Sequence, residues 1–250
     1  DVLPLPSACV FLTTIAVAPS QPQILYAGGS PLAGSGPGHD PDPACIARCQ
    51  AFRSQDGGDS WSCLPLDTVD AFIVDPAAAG TLYALNAGTT GNLYDLILKS
   101  TDGGLTWQDA SHGLGSLGDS GFLEVRTLAI DPSHSGHLFT IVGLFGTSLL
   151  FTSTDGGLSW SPSGLPLPSL TSAGTTVLSL VLDPRRPLVL YAGLLEGGIL
   201  RTSDLGTTWT ALTSGLPPID TSGSLVADPQ NPGILYAGTV GSGIYRIQLR

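Results

Sequence analysis

The sequence predicts an all-β fold, a five-bladed β-propeller built from four-stranded antiparallel blades. Three observations predict it: two motifs recur in a fixed order, glycine and proline are abundant, and no stretch keeps a helical period of apolar residues. The 250 residues include 33 glycines and 20 prolines. Short strands joined by tight turns suit this composition, and the length suits one domain with its own core.

The first motif is an apolar strand, a turn and a second apolar strand, and it occurs five times. The turn is Asp-Pro in four copies and Ala18-Pro in the first, and proline favours a turn because its φ is preset and it cannot continue a ladder. The copies cover residues 15–29, 72–86, 128–143, 180–194 and 225–239. The second strands centre on Tyr26, Tyr83, Phe139, Tyr191 and Tyr236.

The second motif is S/T-x-D-x-G-x-S/T-W, and it occurs four times, at residues 54–61, 100–107, 153–160 and 202–209. The aspartate can accept backbone N–H groups of a hairpin, and the glycine supplies a positive φ. The tryptophan offers a large ring for packing between blades. Structural roles are therefore predicted for Ser54, Asp56, Gly58, Trp61, Ser100, Asp102, Gly104, Trp107, Ser153, Asp155, Gly157, Trp160, Thr202, Asp204, Gly206 and Trp209.

The two motifs together predict blades at residues 12–66, 67–118, 119–169, 170–218 and 219–250. The fifth repeat lacks the second motif and hence a fourth strand. Residues 1–6 (DVLPLP) are similar to the segments that follow the other tryptophans, so we expect them to complete the last blade and close the ring. The same strand could instead pair with a neighbouring molecule, and a fragment of a longer array is a further alternative.

Charge and hydropathy exclude two classes of partner. The net charge is −11 and Lys99 is the single lysine, whereas nucleic-acid binding depends on clustered basic residues. The mean hydropathy is +0.28, yet no apolar run approaches the roughly 18 to 20 residues that span a bilayer, so membrane insertion is not expected. The chain contains no methionine even at position 1, which favours a processed, secreted protein.

Four cysteines lie within the first 63 residues: Cys9, Cys45, Cys49 and Cys63. An even count in a secreted chain favours two disulfides, whose pairing the spacing leaves open. A four-cysteine zinc site is the alternative, although the paired C-x2-C spacing typical of structural zinc is absent. We therefore expect neither a metal nor a cofactor.

The repeats SxDGGxTW and DPxxPxxLYAG resemble those of Asp-box propellers, also called bacterial neuraminidase repeats. The resemblance covers nearly the whole chain. It implies the fold, but the families that share it include sialidases, sortilin-type receptors, xyloglucan-degrading hydrolases and a photosystem II assembly factor. Their propellers usually have six, seven or ten blades, so five blades is a departure. Function must therefore come from a site.

The resemblance places ligand sites on the loop face opposite the Asp boxes. Candidate residues in those loops are His39, Asp40, Asp42, Asp67, Asp70, His112, Asp119, Glu124, Glu196 and Asp220. Glycosidases need two carboxylates about 5 Å or 6.5 to 9.5 Å apart. The arginine triad, tyrosine nucleophile and R-I-P motif of sialidases are not recognisable, and xyloglucan hydrolases use two large propellers. No catalytic residue is therefore assigned.

These observations predict a noncatalytic extracellular structural or interaction module, such as a surface scaffold, an adhesin or a fibre subunit. Its partner would be another protein or a second copy, and apolar loop residues are the candidate contacts: Leu144, Phe145, Leu194 and Leu195. The alternative is a carbohydrate-active protein, either a glycoside hydrolase or a lectin-like glycan binder, that uses the loop face. A photosystem assembly role would require a basic groove.

Overall fold

The structure is a computed structural model that describes residues 10–31, 49–89, 92–114, 124–144, 147–164, 166–168, 176–195, 198–212, 224–231, 233–239 and 243–249. The chain divides into two compact units, residues 1–111 and 112–250. All regular elements in the described ranges are β-strands. Within those ranges no helix is long and apolar enough to cross a bilayer.

The first unit contains two four-stranded antiparallel sheets, in which each strand pairs with the next along the chain. Blade 1 consists of β1 (Val10–Val17), β2 (Leu25–Pro31), β3 (Ala51–Ser54) and β4 (Ser62–Leu64). Blade 2 consists of β5 (Ala71–Val74), β6 (Leu82–Thr89), β7 (Asn92–Ser100) and β8 (Gln108–Asp109).

The second unit contains three antiparallel sheets with the same strand order. Blade 3 consists of β9 (Glu124–Ile130), β10 (Leu138–Leu144), β11 (Thr147–Ser153) and β12 (Ser161–Ser163). Blade 4 consists of β13 (Val177–Asp183), β14 (Arg186–Leu194), β15 (Ile199–Thr202) and β16 (Thr210–Leu212). Blade 5 has three described strands, β17 (Leu225–Ala227), β18 (Ile234–Thr239) and β19 (Gly243–Gln248).

The strand register repeats from blade to blade. In every blade the aromatic residue at the centre of the second strand is paired across the sheet with a residue of the third strand. That third-strand residue occupies the same position in each repeat. These pairs are Tyr26 with Arg53, Tyr83 with Lys99, Phe139 with Thr152, Tyr191 with Arg201, and Tyr236 with Arg246. Because side chains alternate between the two faces of a strand, a constant register gives equivalent residues the same face in every blade.

Turns at the predicted Asp-Pro sites join the first and second strands. The carboxylates of Asp75, Asp131, Asp183 and Asp228 each accept the backbone N–H two residues ahead, at 2.8 to 3.0 Å. In blade 1 the turn has Ala18 instead, and it is closed by the backbone hydrogen bond from the Gln21 N–H to the Ala18 carbonyl, at 3.1 Å. An aspartate therefore reinforces this turn but is not required for it.

The hydrophobic core of each unit lies between neighbouring blades. In the first unit Tyr26 of blade 1 is buried, its ring lies 6.0 Å from that of Phe72 in blade 2, and its hydroxyl donates to the Ala79 carbonyl at 3.1 Å. In the second unit Phe139 of blade 3 shares a cluster with Leu180 of blade 4. Further along, blade 4 packs on blade 5 through a separate cluster.

The five antiparallel sheets confirm the predicted all-β, five-bladed propeller. The fifth blade has three strands in the described residues, consistent with its missing Asp box. Residues 1–6, which we expect to complete that blade, lie outside the described residues, so closure by the N-terminal strand stays a prediction. The single-domain organisation and the blade limits also stay predictions.

Candidate functional site

Each Asp box is a hairpin between the third and fourth strands of its blade, and the first box shows the geometry. The Asp56 carboxylate accepts hydrogen bonds from the Ser54 hydroxyl at 2.7 Å, from the Ser60 N–H at 2.9 Å and from the Ser60 hydroxyl at 2.5 Å. The Ser54 hydroxyl also accepts the Gly58 N–H at 2.8 Å. Gly58 has φ +102°, a conformation that glycine adopts readily because it has no Cβ.

The other three boxes repeat these contacts. Asp102, Asp155 and Asp204 accept the first box hydroxyl at 2.7 to 2.8 Å and a backbone N–H at 2.9 Å. Hydrogen bonds from the side chain and backbone four residues ahead, and then from the first box hydroxyl, lower the pKa of all four box aspartates to about 2. A carboxyl group with that pKa holds no proton near neutral pH, so it is poorly suited to general acid catalysis.

Two boxes also contact the preceding blade. A Cβ placed on Gly104 of blade 2 would lie 2.9 Å from a methyl group of Leu64 in blade 1, which shows how closely the hairpin approaches. In the second unit the hydroxyl of Ser163 in blade 3 donates to the carbonyl of Leu205 in the fourth box, at 2.5 Å. The boxes thus take part in blade packing as well as in closing hairpins.

The box tryptophans pack around the hairpins and the core. The indole N–H of Trp61 donates to the Gly58 carbonyl of its own box at 3.0 Å. Trp107 is stacked on Phe72 with ring centroids 6.1 Å apart, and Trp209 packs against the cluster between blades 3 and 4. Trp160 is buried. The tryptophan rings thus contribute to packing in the protein, and none of them is assigned to ligand binding.

The loop face is described only in part. Of the ten candidate residues in its loops, the structure describes the side chains of Asp67, Asp70 and His112. Glu124 begins β9, with its side chain outside the described residues. The other candidates lie outside the described residues: His39, Asp40, Asp42, Asp119, Glu196 and Asp220.

Among the three candidates whose side chains are described, Asp70 forms a side-chain hydrogen bond. It is exposed, and its carboxylate accepts the Asn86 side-chain amide at 3.0 Å. Its backbone N–H donates to the Leu85 carbonyl at 3.1 Å, which holds it beside β6. The pair lies away from the Asp box of blade 2, because the box begins at Ser100, whose register partner is Leu82 at the other end of β6.

Asn86 is a candidate residue that sequence reasoning missed. Its φ of +45° lies in the left-handed region, which asparagine tolerates better than most non-glycine residues. The signal that could have found it is an asparagine within the LYALNAG segment, where the other repeats have Gly29, Val142, Leu194 and Thr239. Within the described ranges, no group of three or more His, Cys, Asp or Glu side chains is arranged to hold a metal ion.

One disulfide of the two expected is present in the described residues. It joins Cys49, just before β3, to Cys63 in β4, with a Cα–Cα distance of 5.5 Å and a sequence separation of 14. Cys9 and Cys45 lie outside the described residues. The bond joins the segment just before the third strand of blade 1 to the fourth strand, and disulfides are typical of oxidising compartments.

Of the four apolar loop residues proposed as contacts, Leu194 requires correction. It ends β14 and is buried in the cluster between blades 3 and 4, so it is a core residue and is not available to a partner. Leu195 next to it is exposed. Leu144 ends β10 with its side chain outside the described residues, and Phe145 lies outside them entirely.

The sheets and hairpins define an Asp-box β-propeller. A family model described as BNR/Asp-box repeat matches residues 151–162, which cover the third box. Among characterised proteins, a xyloglucanase of a Paenibacillus species is 32% identical over 137 aligned residues. That match covers 48% of this chain and 13% of the xyloglucanase, so the chain corresponds to a small part of the relative's length.

Solved structures confirm the fold. An ancestral GH74 enzyme is 18% identical with a TM-score of 0.66, and the match covers 98% of this chain and 30% of that enzyme. The GH74 xyloglucanase of Xanthomonas campestris is 19% identical with a TM-score of 0.64, covering 94% and 36%. The GH74 enzyme of Niastella koreensis is 23% identical with a TM-score of 0.63, covering 95% and 36%.

The similarity to a xyloglucanase corrects the function predicted first. The prediction of a noncatalytic structural or interaction module is wrong, because the 137-residue match favours the alternative, a carbohydrate-active protein. The prediction failed because it relied on missing sialidase residues and on the difference in propeller number. Neither feature tests for a glycan-binding surface on the loop face.

Proposed function

We propose that this protein is carbohydrate-active and that its loop face binds a neutral β-glucan of the xyloglucan type. The observation that carries the proposal is the 32% identity over 137 residues to a xyloglucanase. The whole-chain likeness to GH74 folds is consistent with it, although that likeness concerns the fold alone. A glycan is therefore the partner that we expect.

The charge of the protein supports a neutral ligand. With a net charge of −11 and Lys99 as its single lysine, the chain has little to offer an anionic polymer. A neutral polysaccharide is recognised by hydrogen bonds and apolar contacts, which salt screens little. Binding should therefore change little between low and physiological ionic strength.

The Asp70–Asn86 pair is the contact that we assign to the glycan. Sugar hydroxyl groups both donate and accept hydrogen bonds, and this exposed pair presents a carboxylate and an amide. The box aspartates are poorer candidates because their own hairpins already occupy them. We propose that all sixteen box residues have structural roles.

The test is binding of tamarind-type xyloglucan to the intact protein, measured by calorimetry. Asp70→Ala is the test variant, and Asp59→Ala removes an exposed aspartate from the box hairpin of blade 1 as a matched control. Because a hydrogen bond to a charged group contributes about 1.5 to 3 kcal/mol, we expect Asp70→Ala to raise the Kd about tenfold or more. Absence of binding by the wild type, or equal losses in both variants, would contradict the proposal.

Cleavage is measured separately, as reducing ends released from the same polysaccharide. Hydrolysis requires a second carboxylate at the distances typical of glycosidases. Release of reducing ends would make the protein a glycoside hydrolase, and binding without release would make it a glycan binder. We further propose that the protein is secreted, in keeping with the Cys49–Cys63 disulfide.

A further inference from the structure

Asp70 lies in a short segment, residues 69–72, that is hydrogen-bonded to two blades. The Val69 N–H donates to the Gly29 carbonyl of blade 1 at 3.0 Å. The Asp70 N–H donates to the Leu85 carbonyl of blade 2 at 3.1 Å. Val69 is fully buried, so its backbone polar groups depend on such partners. The backbone around Asp70 is therefore held by a different blade on each side.

Two neighbouring threonines of blade 1 bind the same segment through their side chains. The Thr13 hydroxyl donates to the Val69 carbonyl at 2.9 Å, directly before Asp70 in the chain. The Thr14 hydroxyl accepts the Phe72 N–H at 3.1 Å, two residues after Asp70. Blade 1 thus fixes the chain on both sides of the aspartate.

A β-bulge directs Thr13 toward blade 2. The register of β1 against β2 shifts at this point, which leaves Thr13 without an opposite residue in the pairing. A bulge releases a residue from the regular alternation of its strand and re-aims its side chain. The Thr13 hydroxyl lies 3.4 Å from the Gly28 carbonyl of its own sheet, against 2.9 Å from the Val69 carbonyl. Because a hydroxyl group has one hydrogen, the shorter contact with blade 2 is the stronger one.

The repeats distinguish the two threonines. Thr14 has an equivalent in the second unit, where the Thr127 hydroxyl of blade 3 accepts the Leu180 N–H of blade 4 at 3.1 Å. A contact that recurs between blades belongs to the scaffold. Thr13 lies five residues before the turn residue of its blade, and that position in the following blades is Asp70, Arg126, Leu178 and Gly223. The hydroxyl at this position is therefore particular to blade 1, next to the Asp70 segment.

We propose that Thr13 is a positioning residue for the glycan contact, because its hydroxyl holds the Val69 carbonyl and so fixes Asp70 beside Asn86. Since this role concerns the same site, it rests on the proposed function. The Asp70 carboxylate accepts the Asn86 amide at 3.0 Å. Asn86 belongs to β6, whereas Asp70 precedes β5, so the aspartate requires a support outside the strand pairing. Thr13 acts on the glycan through Asp70 and not by touching it.

The first test uses the intact protein without a glycan. Thr13→Val replaces the hydroxyl with a methyl group and keeps the β-branched shape, whereas Thr13→Ser keeps the hydroxyl. Thr101→Val is the matched control, because Thr101 is an exposed threonine of the second Asp box. In Thr13→Val the amide hydrogens of Val69 and Asp70 should exchange about fivefold faster by NMR, since one ordinary hydrogen bond is lost. Thr13→Ser and Thr101→Val should exchange like the wild type.

The side-chain amide of Asn86 reports its contact with Asp70 directly. In Thr13→Val its NMR signals should move toward their positions in Asp70→Ala, where the contact is absent. In Thr13→Ser and Thr101→Val they should stay at the wild-type positions. A threonine that only stabilised the sheet would change exchange rates without moving these signals.

Calorimetric binding of xyloglucan then tests the link to the glycan. We expect Thr13→Val to raise the Kd about threefold, at the lower end for a lost hydrogen bond, and Thr13→Ser and Thr101→Val to leave it unchanged. In the Asp70→Ala background, Thr13→Val should have no further effect on the Kd, because a positioning residue acts only through the group that it positions. A threonine that touched the glycan itself would weaken binding in both backgrounds.

Unchanged exchange or unmoved Asn86 signals in Thr13→Val would overturn this role of Thr13, whether or not the protein binds xyloglucan. So would a wild type that binds xyloglucan with a Kd that Thr13→Val leaves the same, or an equal loss in the Asp70→Ala background. Absence of binding by the wild type would overturn the proposed function and with it the part of Thr13 in glycan binding. The exchange rates would then still show whether Thr13 holds the Asp70 segment, so the two failures are distinguishable.

Discussion

Gly164, which follows β12, allows the close packing between blades 3 and 4 to be tested. Its φ is +77°, and a Cβ at this position would overlap the Gly206 carbonyl of the fourth Asp box and lie 2.7 Å from the Thr207 nitrogen. Gly198 in the same unit provides the comparison. Its φ is +94°, and a Cβ there would meet no atom within 4 Å.

The two alanine substitutions separate backbone strain from packing. Both place an alanine in the left-handed region, which costs about 1 to 2 kcal/mol. Gly164→Ala additionally forces two backbone segments apart, for which overpacking costs of about 1 to 3 kcal/mol are typical. Because the overlap is with backbone and not with a flexible side chain, we expect the upper end, so the two variants should differ by about 3 kcal/mol.

The assay is urea unfolding of each variant, followed by near-ultraviolet circular dichroism. At about 2 to 4 °C per kcal/mol for a chain of this size, thermal unfolding should show the same order, with the Tm of Gly164→Ala lower by about 6 to 12 °C than that of Gly198→Ala. If the two variants lose stability equally, the close approach of the fourth box to blade 3 does not exist in solution.

Two further predictions concern the boxes and the core. The pKa of about 2 for Asp102 is below the usual value of about 3.9, so its stabilising effect is complete above about pH 5 and is lost as the pH falls toward 2. Asp102→Asn should therefore lose less stability than the wild type between pH 7 and pH 3 in urea unfolding, and an equal loss would count against this role. Phe72→Ala removes a buried ring and should cost about 3 to 5 kcal/mol, whereas Leu105→Ala at an exposed hairpin tip should change stability by less than about 0.5 kcal/mol. Similar losses in these two variants would contradict the core assigned between blades 1 and 2.

Local patterns predicted the strands and hairpins well. The Asp-box hairpins at Asp56, Asp102, Asp155 and Asp204 form at the predicted positions, because their hydrogen bonds join residues at most four apart. The second strands also contain the predicted aromatic residues. Short-range turn chemistry and alternation of side chains are sufficient for such elements.

The candidate site was harder to predict from the sequence. Asp70 was one of ten loop candidates, and nothing in the sequence distinguished it from the others. Its pairing with Asn86 joins the residue just before β5 to a residue of β6, sixteen positions further along the chain, so it depends on the register of β5 against β6. Leu194 was predicted to be an exposed contact because it lies near a loop. It is buried by residues of a neighbouring blade, which the sequence did not indicate.

The amino-acid sequence alone determined that the chain forms five repeated antiparallel blades and where their turns lie, because strand periodicity and hairpin hydrogen bonds act over a few residues. The tertiary structure decided which equivalent positions are covered: Tyr26 is buried and Tyr236 is exposed, although both occupy the same place in the repeat. Burial depends on the blade that lies alongside, and residues distant in the chain provide that neighbour. A repeat pattern records the shape of a face but not whether another blade occupies it.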